Sequence, residues 1–332
     1  MSRLRFFAIR TVQTVIMLWL VITFLFFLFR LMPGDFTDIM LQQGADPDAV
    51  DRFIEEWGLD QPLYMQYYAY LTNFVLLDVG NSLQFRTPVI DFVRMRIFNT
   101  LILAVPAITT GYVIATLLGS LLGQRRGTRF EKFGIVGLIS IGAFPGFVLG
   151  IFGIIIFSIY LGLVPSSGMI PSSVYAAHAD APWWRPYLTT EFAHRYILPF
   201  LVVAFATGFV GPTLIMRTSV VEVKGQDFMY YQKVSGLPYR NRLRHLAKHS
   251  IIPVITLYPI SLAQAISGLV IIELIFNWPG IGFALVQAVL ARDFPVAMFV
   301  FFVVAAAVII ANFLVDIIYG VIDPRISVEQ AD

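Results

Sequence analysis

The sequence contains no cysteine in its 332 residues. This absence excludes disulfide frameworks, thiolate metal sites and cysteine nucleophiles. Charged residues are also scarce, at 13%, whereas a soluble globular domain carries about 25%. Hydrophobic residues make up 58% of the chain, and the mean hydropathy is +0.78. Because so little polar surface cannot coat a folded chain in water, the composition indicates an integral membrane protein.

Nucleotide-binding motifs are missing as well. The sequence has no GxxxxGK[ST] motif and no GxGxxG motif after a strand, and no soluble stretch is large enough for an α/β domain. Any ATP chemistry would therefore take place on another chain.

Six apolar runs are long enough to cross a hydrocarbon core, which takes about 20 residues. They cover residues 11–31, 100–123, 134–160, 196–216, 251–275 and 296–320. Backbone groups cannot stay unpaired in lipid, so these continuous runs predict helices. We therefore predict an all-α membrane protein with six transmembrane helices in one transmembrane domain over residues 1–332. Kinks are expected at Pro106, Pro145, Pro199, Pro212, Pro253 and Pro259.

The basic residues predict the orientation. They concentrate before the first run, in the 124–133 loop and in residues 217–249, whereas the other loops are acidic or nearly neutral. Because Lys and Arg favour the cytoplasmic side, this asymmetry predicts that both termini are cytoplasmic. Arg3, Arg5 and Arg10 precede an apolar run that is too long for a signal peptide, so we expect the first run to be retained.

Residues 32–99 then form an acidic extracytoplasmic segment. Pro47 is expected to begin a helix that ends at Gly58, and Pro62 a second helix that reaches about Leu77. The second helix is aromatic along its length, which suits a membrane–water interface. Two interpretations stay open: the helix packs on the outer rim of a pore, or it is part of a gate or a docking face for an external partner.

Residues 217–249, which we call the bracket, are the longest basic interruption between apolar runs. We predict a helix from Thr218 to Val234, a turn over 235–238, and a second helix from Tyr239 to His249. The simplest interpretation is a loop that only fixes topology. A loop that only fixes topology needs a few basic residues, not two helices joined at a glycine. We therefore favour a cytoplasmic docking element.

Two further constellations carry little chemistry. His245 and His249 have the i, i+4 spacing of a metal pair, but a third ligand is missing, so no metal site is expected. Arg30, Glu273 and Asp316 lie near the ends of apolar runs, within snorkelling distance of an interface, which favours structural anchoring. No acidic residue lies near a predicted midplane, where a proton-coupled transporter would need one.

At several places the chain resembles the permease subunits of binding-protein-dependent ABC importers of the oligopeptide, dipeptide and nickel class, in particular the first of their two permeases. The resemblance covers nearly the whole length. Its motifs are RLMPGD (30–35), EEWGLDQPLYMQY (55–67), DVGNS (78–82), LVPSSG (163–168), VEVKGQDF (221–228), GLP (236–238), HLAKHSIIPVIT (245–256), ELIFNWPGIG (273–282), RDFPV (292–296) and NFLVDIIYGVIDPRI (312–326).

The resemblance implies that the bracket contains a coupling helix, which inserts into a groove on an ATPase subunit. The residues expected to serve this coupling are Glu222, Asp227, Ser235, Gly236, Leu237, Pro238, Arg240 and His245. A gate or a contact with an external binding protein is expected at Tyr64, Tyr67, Tyr68, Trp278, Pro279 and Gly280.

The resemblance also implies partners and a location. They are a second homologous permease, two ABC ATPase subunits that carry ATP and Mg, an extracytoplasmic substrate-binding protein, and the lipid of a prokaryotic cytoplasmic membrane. No cofactor, catalytic site or nucleic-acid partner is expected on this chain. Peptides are the expected cargo, with nickel chelates or oligosaccharides as alternatives. A lone ion-coupled transporter and an intramembrane hydrolase remain more remote alternatives.

Overall fold

The computed structural model describes residues 3–31, 41, 47–82 and 84–322, which are helical almost throughout. Within these ranges no strand forms, and Asn81 and Pro88 make an isolated antiparallel bridge. Parts of two motifs, residues 32–35 and 323–326, lie outside the described residues. The chain divides into two compact units, one of Met1–Asn99 with Gly280–Asp332 and one of Thr100–Pro279.

The α-helices follow in chain order. They are α1 Arg3–Arg30, α2 Pro47–Trp57, α3 Leu63–Leu76, α4 Val89–Gln124, α5 Arg129–Gly142, α6 Gly146–Gly153, α7 Ser172–Ala177, α8 Thr190–Val203, α9 Val210–Lys224, α10 Asp227–Val234, α11 Tyr239–Ser250, α12 Ile252–Gly268, α13 Val270–Ile275, α14 Ile281–Leu290 and α15 Phe294–Ile322. Two π-helical segments, Ile154–Tyr160 and Ala204–Phe209, continue α6 and α8, and a 3₁₀ turn covers Arg185–Leu188.

In the first unit, α1 and α15 pack antiparallel. At one end Arg10 Nη1 lies 3.2 Å from an Asp316 carboxylate oxygen, and at the other end the Phe29 ring contacts Phe294. Between Arg10 and Arg30 no residue of α1 is charged. At 1.5 Å per residue this uncharged stretch is about 30 Å long, which matches the hydrocarbon thickness of a bilayer. Asp316, which was expected to serve as a structural anchor, therefore forms an ion pair with Arg10.

Helix α3 packs on this pair. The Tyr67 hydroxyl lies 2.8 Å from Thr23 Oγ1 of α1, and the Phe74 ring contacts Phe302 of α15 at 5.2 Å between centroids. The other face stays open, with Tyr64 and Tyr68 exposed by 69% and 68%. These contacts favour the interpretation that α3 packs on a rim of transmembrane helices.

A buried carboxylate holds the segment after α3 to the start of α15. Asp293 is completely buried and accepts hydrogen bonds from the Ser82 hydroxyl at 2.5 Å and from the Gln84 backbone N–H at 3.1 Å. Its other oxygen accepts from the Val296 backbone N–H in the first turn of α15. The DVGNS and RDFPV motifs thus meet in one hydrogen-bonded cluster.

In the second unit, a stripe of small residues brings α4 against the π-helical segment after α8 and against α9. The stripe repeats every four residues, at Gly111, Ala115, Gly119 and Gly123. A methyl group added at Gly119 would lie 2.5 Å from the Thr213 carbonyl oxygen. Such an approach is open only to glycine, and in membranes close backbone contact is a main source of helix association.

Two of the six predicted runs are not single straight helices. The run 134–160 bends by 91° where Pro145 breaks the backbone ladder between α5 and α6. The run 251–275 is divided between α12 and α13. Among the described residues, four helices are long and apolar enough to span a membrane, or five if the bent pair counts as one. The count of six spans and the orientation of the termini stay predictions.

The close contact at Gly119 makes a stability prediction. Gly119→Ala should destabilise the fold by about 1–3 kcal/mol, because overpacking outweighs the roughly 1 kcal/mol by which alanine favours a helix. Thermal unfolding of the purified chain in detergent measures the change.

Gly137→Ala on α5 is the matched control, since no atom lies within 4 Å of the added methyl group. The control should be neutral or slightly stabilising. Equal unfolding midpoints for both variants would contradict the close packing of α4 on α9.

Candidate functional site

The bracket turns at Gly236, which has a φ of +73°. The Leu237 N–H donates to the Gln232 carbonyl and the Gly236 N–H to the Lys233 carbonyl, at 3.1 and 3.3 Å. This pair of bonds is the Schellman motif, in which a left-handed residue ends a helix. Pro238 is the N-cap residue of α11. The turn predicted from the sequence is therefore confirmed, together with its left-handed glycine.

The predicted continuous helix from Thr218 to Val234 is wrong. Helix α9 ends at Lys224, and α10 begins at Asp227 after Gln226 takes an extended conformation. Gly225 lies at the break, where its low helix propensity weakens the ladder. The bracket therefore contains three helical pieces: the end of α9, a separate α10 and α11.

Helix α11 folds back on the rest of the bracket. It packs against α9, and the two helices contribute the buried side chains of Leu246 and Val223. The Phe228 ring of α10 contacts the His249 ring of α11 at 5.1 Å between centroids. Together with the covalent link between α9 and α10, these contacts close the three pieces into a triangle.

An ion pair fixes the base of the bracket to the turn between α4 and α5. Arg217 Nε donates to a Glu131 carboxylate oxygen at 2.8 Å, and Glu131 is 4% exposed. The other carboxylate oxygen accepts from the Gly127 backbone N–H at 2.5 Å, while Thr128 caps α5 by accepting from the Glu131 N–H. One side chain thus orders the α4–α5 turn and holds α9.

A second bond joins the same parts. Lys224 Nζ, at the end of α9, donates to the Gln124 carbonyl at the end of α4, at 3.1 Å. This bond satisfies a terminal carbonyl of α4 and places a cation at the negative end of its dipole. Helix α9 is therefore held to the α4–α5 turn at two points, Arg217 and Lys224, which lie about two helical turns apart.

The sequence-predicted coupling residues gather on this bracket. Glu222, Asp227, Ser235, Pro238 and Arg240 are exposed, whereas Leu237 and His245 are partly buried. Asp227 lies in the first turn of α10, where a negative charge favours the helix dipole. Their contacts with an ATPase stay predictions.

Sequence reasoning missed an exposed apolar patch on α10. Tyr230, Tyr231 and Val234 are each exposed by 66–68% on a helix with lysine and aspartate around them. Amphipathic rings on an exposed helix are typical of protein interfaces. The pair of adjacent tyrosines could have indicated this patch, but the bracket was interpreted mainly from its basic residues.

The predicted gate or binding-protein residues differ in how far they are exposed. Tyr64 and Tyr68 are exposed on α3, and Tyr67 is partly buried through its bond to α1. Trp278 is 1% exposed, packed against Phe192 and Tyr196, so it is a packing residue in this conformation. Pro279 is partly buried and Gly280 is buried. A gating role for these six positions stays a prediction.

Glu273 lacks the exposure that snorkelling to an interface requires. Its side chain is completely buried and accepts a hydrogen bond from the Thr100 hydroxyl at 2.6 Å. Its backbone carbonyl accepts from the Trp278 N–H at 2.7 Å. The snorkelling interpretation is therefore wrong for Glu273, which links the start of the Thr100–Pro279 unit to its end.

Metal binding finds no support in the part of the chain that the structure describes, where no cluster of three or more His, Asp or Glu side chains occurs. His249 contacts Phe228, and His194 Nε2 lies 2.6 Å from the Leu163 carbonyl oxygen.

An uncharged groove of about 320 Å³ runs between α4 and α12. Two hydroxyl pairs cross it: Thr109 Oγ1 lies 2.6 Å from the Tyr258 hydroxyl, and the Tyr112 hydroxyl lies 2.5 Å from Ser261 Oγ. The remaining lining is aliphatic, including Val113 and Leu117. The hydroxyls of each pair bond to each other, so the surface that the groove exposes is almost wholly apolar.

Comparison with known proteins agrees with these features. Residues 94–328 match the family described as "Binding-protein-dependent transport system inner membrane component", and residues 3–104 match its N-terminal family. The chain belongs to this family. It is an inner membrane, multi-pass permease component, which confirms the predicted all-α membrane fold class.

Two curated relatives cover nearly the whole chain. The oligopeptide transport system permease protein AppB of Bacillus subtilis is 30% identical over 326 residues, which are 96% of this chain and 98% of that protein. The glutathione transport system permease protein GsiC of Shigella flexneri is 30% identical over 308 residues, 92% of this chain and 94% of the relative.

The ion pair at the base of the bracket leads to a second prediction. Glu131→Gln keeps the side-chain shape but leaves the Arg217 guanidinium without a carboxylate, so the α4–α5 turn and the bracket should loosen together. We expect a lower unfolding midpoint and faster limited proteolysis within the bracket. Glu222→Gln, an exposed neighbour on α9, is the control and should match the parent. Identical proteolysis patterns for all three proteins would count against the clamp.

Proposed function

We propose that the chain is the pore-forming permease subunit of an ATP-driven importer and that the bracket receives the motion of a partner ATPase. ATP hydrolysis takes place on that partner, and this chain has no catalytic role of its own. The membership in a binding-protein-dependent transport family supports an external binding protein and an ATPase as partners. A second, similar permease completes the pore.

One observation carries this proposal. The bracket is an exposed, closed triangle that bears a patch of two tyrosines and a valine and is fixed to membrane helices at two points. A loop that only set the topology would need basic residues, but it would need neither an apolar patch nor two attachments to membrane helices. A rigid element with an apolar contact face is what a docking partner needs to displace the helices attached to it.

The proposed movement runs along α9. This helix continues the π-helical segment and α8, so a single helical rod joins the bracket to residue Thr190. The stripe of small residues ties that rod to α4. When the ATPases close, the bracket and both helices move as one body, and the α4–α12 groove changes width. Alternating access follows from this rigid-body motion.

Peptides are the proposed cargo. Relatives whose names specify a cargo are named for oligopeptides, peptides or glutathione, which share a peptide backbone. Nickel chelates and oligosaccharides are the alternative cargoes in the same importer class.

The turn at Gly236 provides the test of the coupling role. Gly236→Val should insert normally but lose ATP-dependent peptide uptake, because a β-branched residue at positive φ costs about 1–3 kcal/mol and reshapes the docking turn. Uptake is measured in vesicles that contain the chain, its partner permease and the ATPases. ATPase association is measured by co-purification.

Gly211→Ala on α9 is the matched control, since no atom lies within 4 Å of the added methyl group. It should retain uptake and association. Full uptake by the Gly236→Val protein would remove the bracket from the mechanism. Uptake without ATP by the lone chain would instead favour an ion-coupled transporter.

Cargo is tested separately with the binding protein of the same system. Labelled di- to pentapeptides should bind it and drive uptake, and a nickel chelate or an oligosaccharide should not compete. Competition by either alternative, with no effect of peptides, would reassign the cargo and leave the coupling role intact.

A further inference from the structure

A small cavity lies between α1, α3 and the start of α15, all within the first unit. Its volume is about 40 Å³, and its walls are largely aromatic, with Phe26, Trp57 and Phe294 among them. Arg30, the last residue of α1, also lines it. The RLMPGD and EEWGLDQPLYMQY motifs, which the coupling mechanism does not use, both contribute residues to this cavity.

Two residues that line this cavity carry a buried polar atom without a hydrogen-bond partner among the described residues: Gln66 Oε1 and the Tyr70 hydroxyl. The two side chains are 5% and 4% exposed. Buried polar atoms are nearly always satisfied, so an unsatisfied pair in one cavity indicates a missing polar ligand.

The orientation of the Gln66 amide is fixed. Its Nε2 donates to the Leu59 carbonyl at 3.0 Å and to the Gln61 carbonyl at 2.8 Å, which uses both N–H groups. Flipping the amide would place its oxygen against two carbonyl oxygens. The atom in the cavity is therefore an acceptor, and the missing ligand must donate a hydrogen bond to it.

The cavity lies at a membrane–water interface. Arg30 is the first charged residue of α1 after Arg10, about 30 Å further along the helix. The Arg30 guanidinium therefore lies at headgroup depth, with the aromatic walls on its apolar side. Tyrosine and tryptophan favour this depth.

We propose that this cavity binds the headgroup of phosphatidylethanolamine. The primary ammonium donates to Gln66 Oε1, the Tyr70 hydroxyl bonds the headgroup, and the aromatic walls attract the cation. Arg30, a fork of N–H donors, holds the phosphate on the open side. The acyl chains lie along the apolar, exposed surfaces of α1 and α3.

The size of the cavity makes the site selective. A water-sized group needs about 10–15 Å³, so about 40 Å³ admits the ammonium end of an ethanolamine, and each methyl group added to the nitrogen makes the fit tighter. Choline also lacks the N–H that Gln66 Oε1 requires. The site is therefore expected to accept phosphatidylethanolamine and reject phosphatidylcholine. It does not depend on the cargo or on the role of the bracket.

Lipid retention by the full-length chain tests this inference. The protein in detergent is given an equimolar mixture of phosphatidylethanolamine, its mono- and dimethylated forms and phosphatidylcholine, all with the same acyl chains. Native mass spectrometry counts the lipids retained. Retention should fall with each methyl group, and the first and last members should differ by about fivefold or more, the effect of one hydrogen bond.

Tyr70→Phe and Tyr68→Phe form the matched pair of variants on α3. The first removes the buried hydroxyl and should weaken the preference for phosphatidylethanolamine. The second changes an exposed tyrosine and should leave the preference unchanged. Equal retention across the methylated series by the unmodified protein would overturn the inference, and so would a high-resolution map with water alone in the cavity.

Discussion

The ion pair between Arg217 and Glu131 is the interaction on which the arrangement of the bracket depends. It joins helix α9, which leads into the bracket, to the turn between α4 and α5. Glu131 is nearly buried, so the pair is shielded from the solvent that weakens surface salt bridges. Its second oxygen is satisfied by a backbone N–H, and a buried ion pair needs such additional bonds to offset its desolvation.

This clamp gives a physical meaning to coupling. A force applied at α10 reaches α11 through packing, α9 through the covalent chain, and α4 through the clamp and the small-residue stripe. The links to α4 are short polar contacts and a close backbone approach, and neither deforms gradually. Packed interfaces of this kind shift between discrete arrangements, which alternating access requires.

The sequence predicted what local chemistry determines. Gly236 ends a helix because its φ is positive, and the Ser–Gly–Leu–Pro pattern contains that information within four residues. The break at Gly225 was missed because the tolerance of a helix for one glycine depends on tertiary packing. Pro145 was expected to cause a kink, but no sequence rule gives a 91° bend, which depends on the neighbours of the helix.

Long-range pairing was beyond prediction. Glu131 and Arg217 are 86 positions apart, Ser82 and Asp293 are 211 apart, and Thr100 and Glu273 are 173 apart. Nothing local marks these pairs, and Glu273 was expected to anchor at an interface whereas its side chain is buried. In a chain with so few polar side chains, those that are buried pair with one another. The residue types alone do not predict which two side chains form a pair.

The absence of cysteine makes the central claim directly measurable. Spin labels at Arg126, on the α4–α5 turn, and Lys233, on α10, report the distance between the base and the far arm of the bracket. Both positions are exposed. Pulsed electron paramagnetic resonance on the assembled transporter, with and without trapped ATP, should give the same distance distribution, because the clamp makes the two sites one rigid body. A clear shift of that distribution on ATP binding would contradict the account.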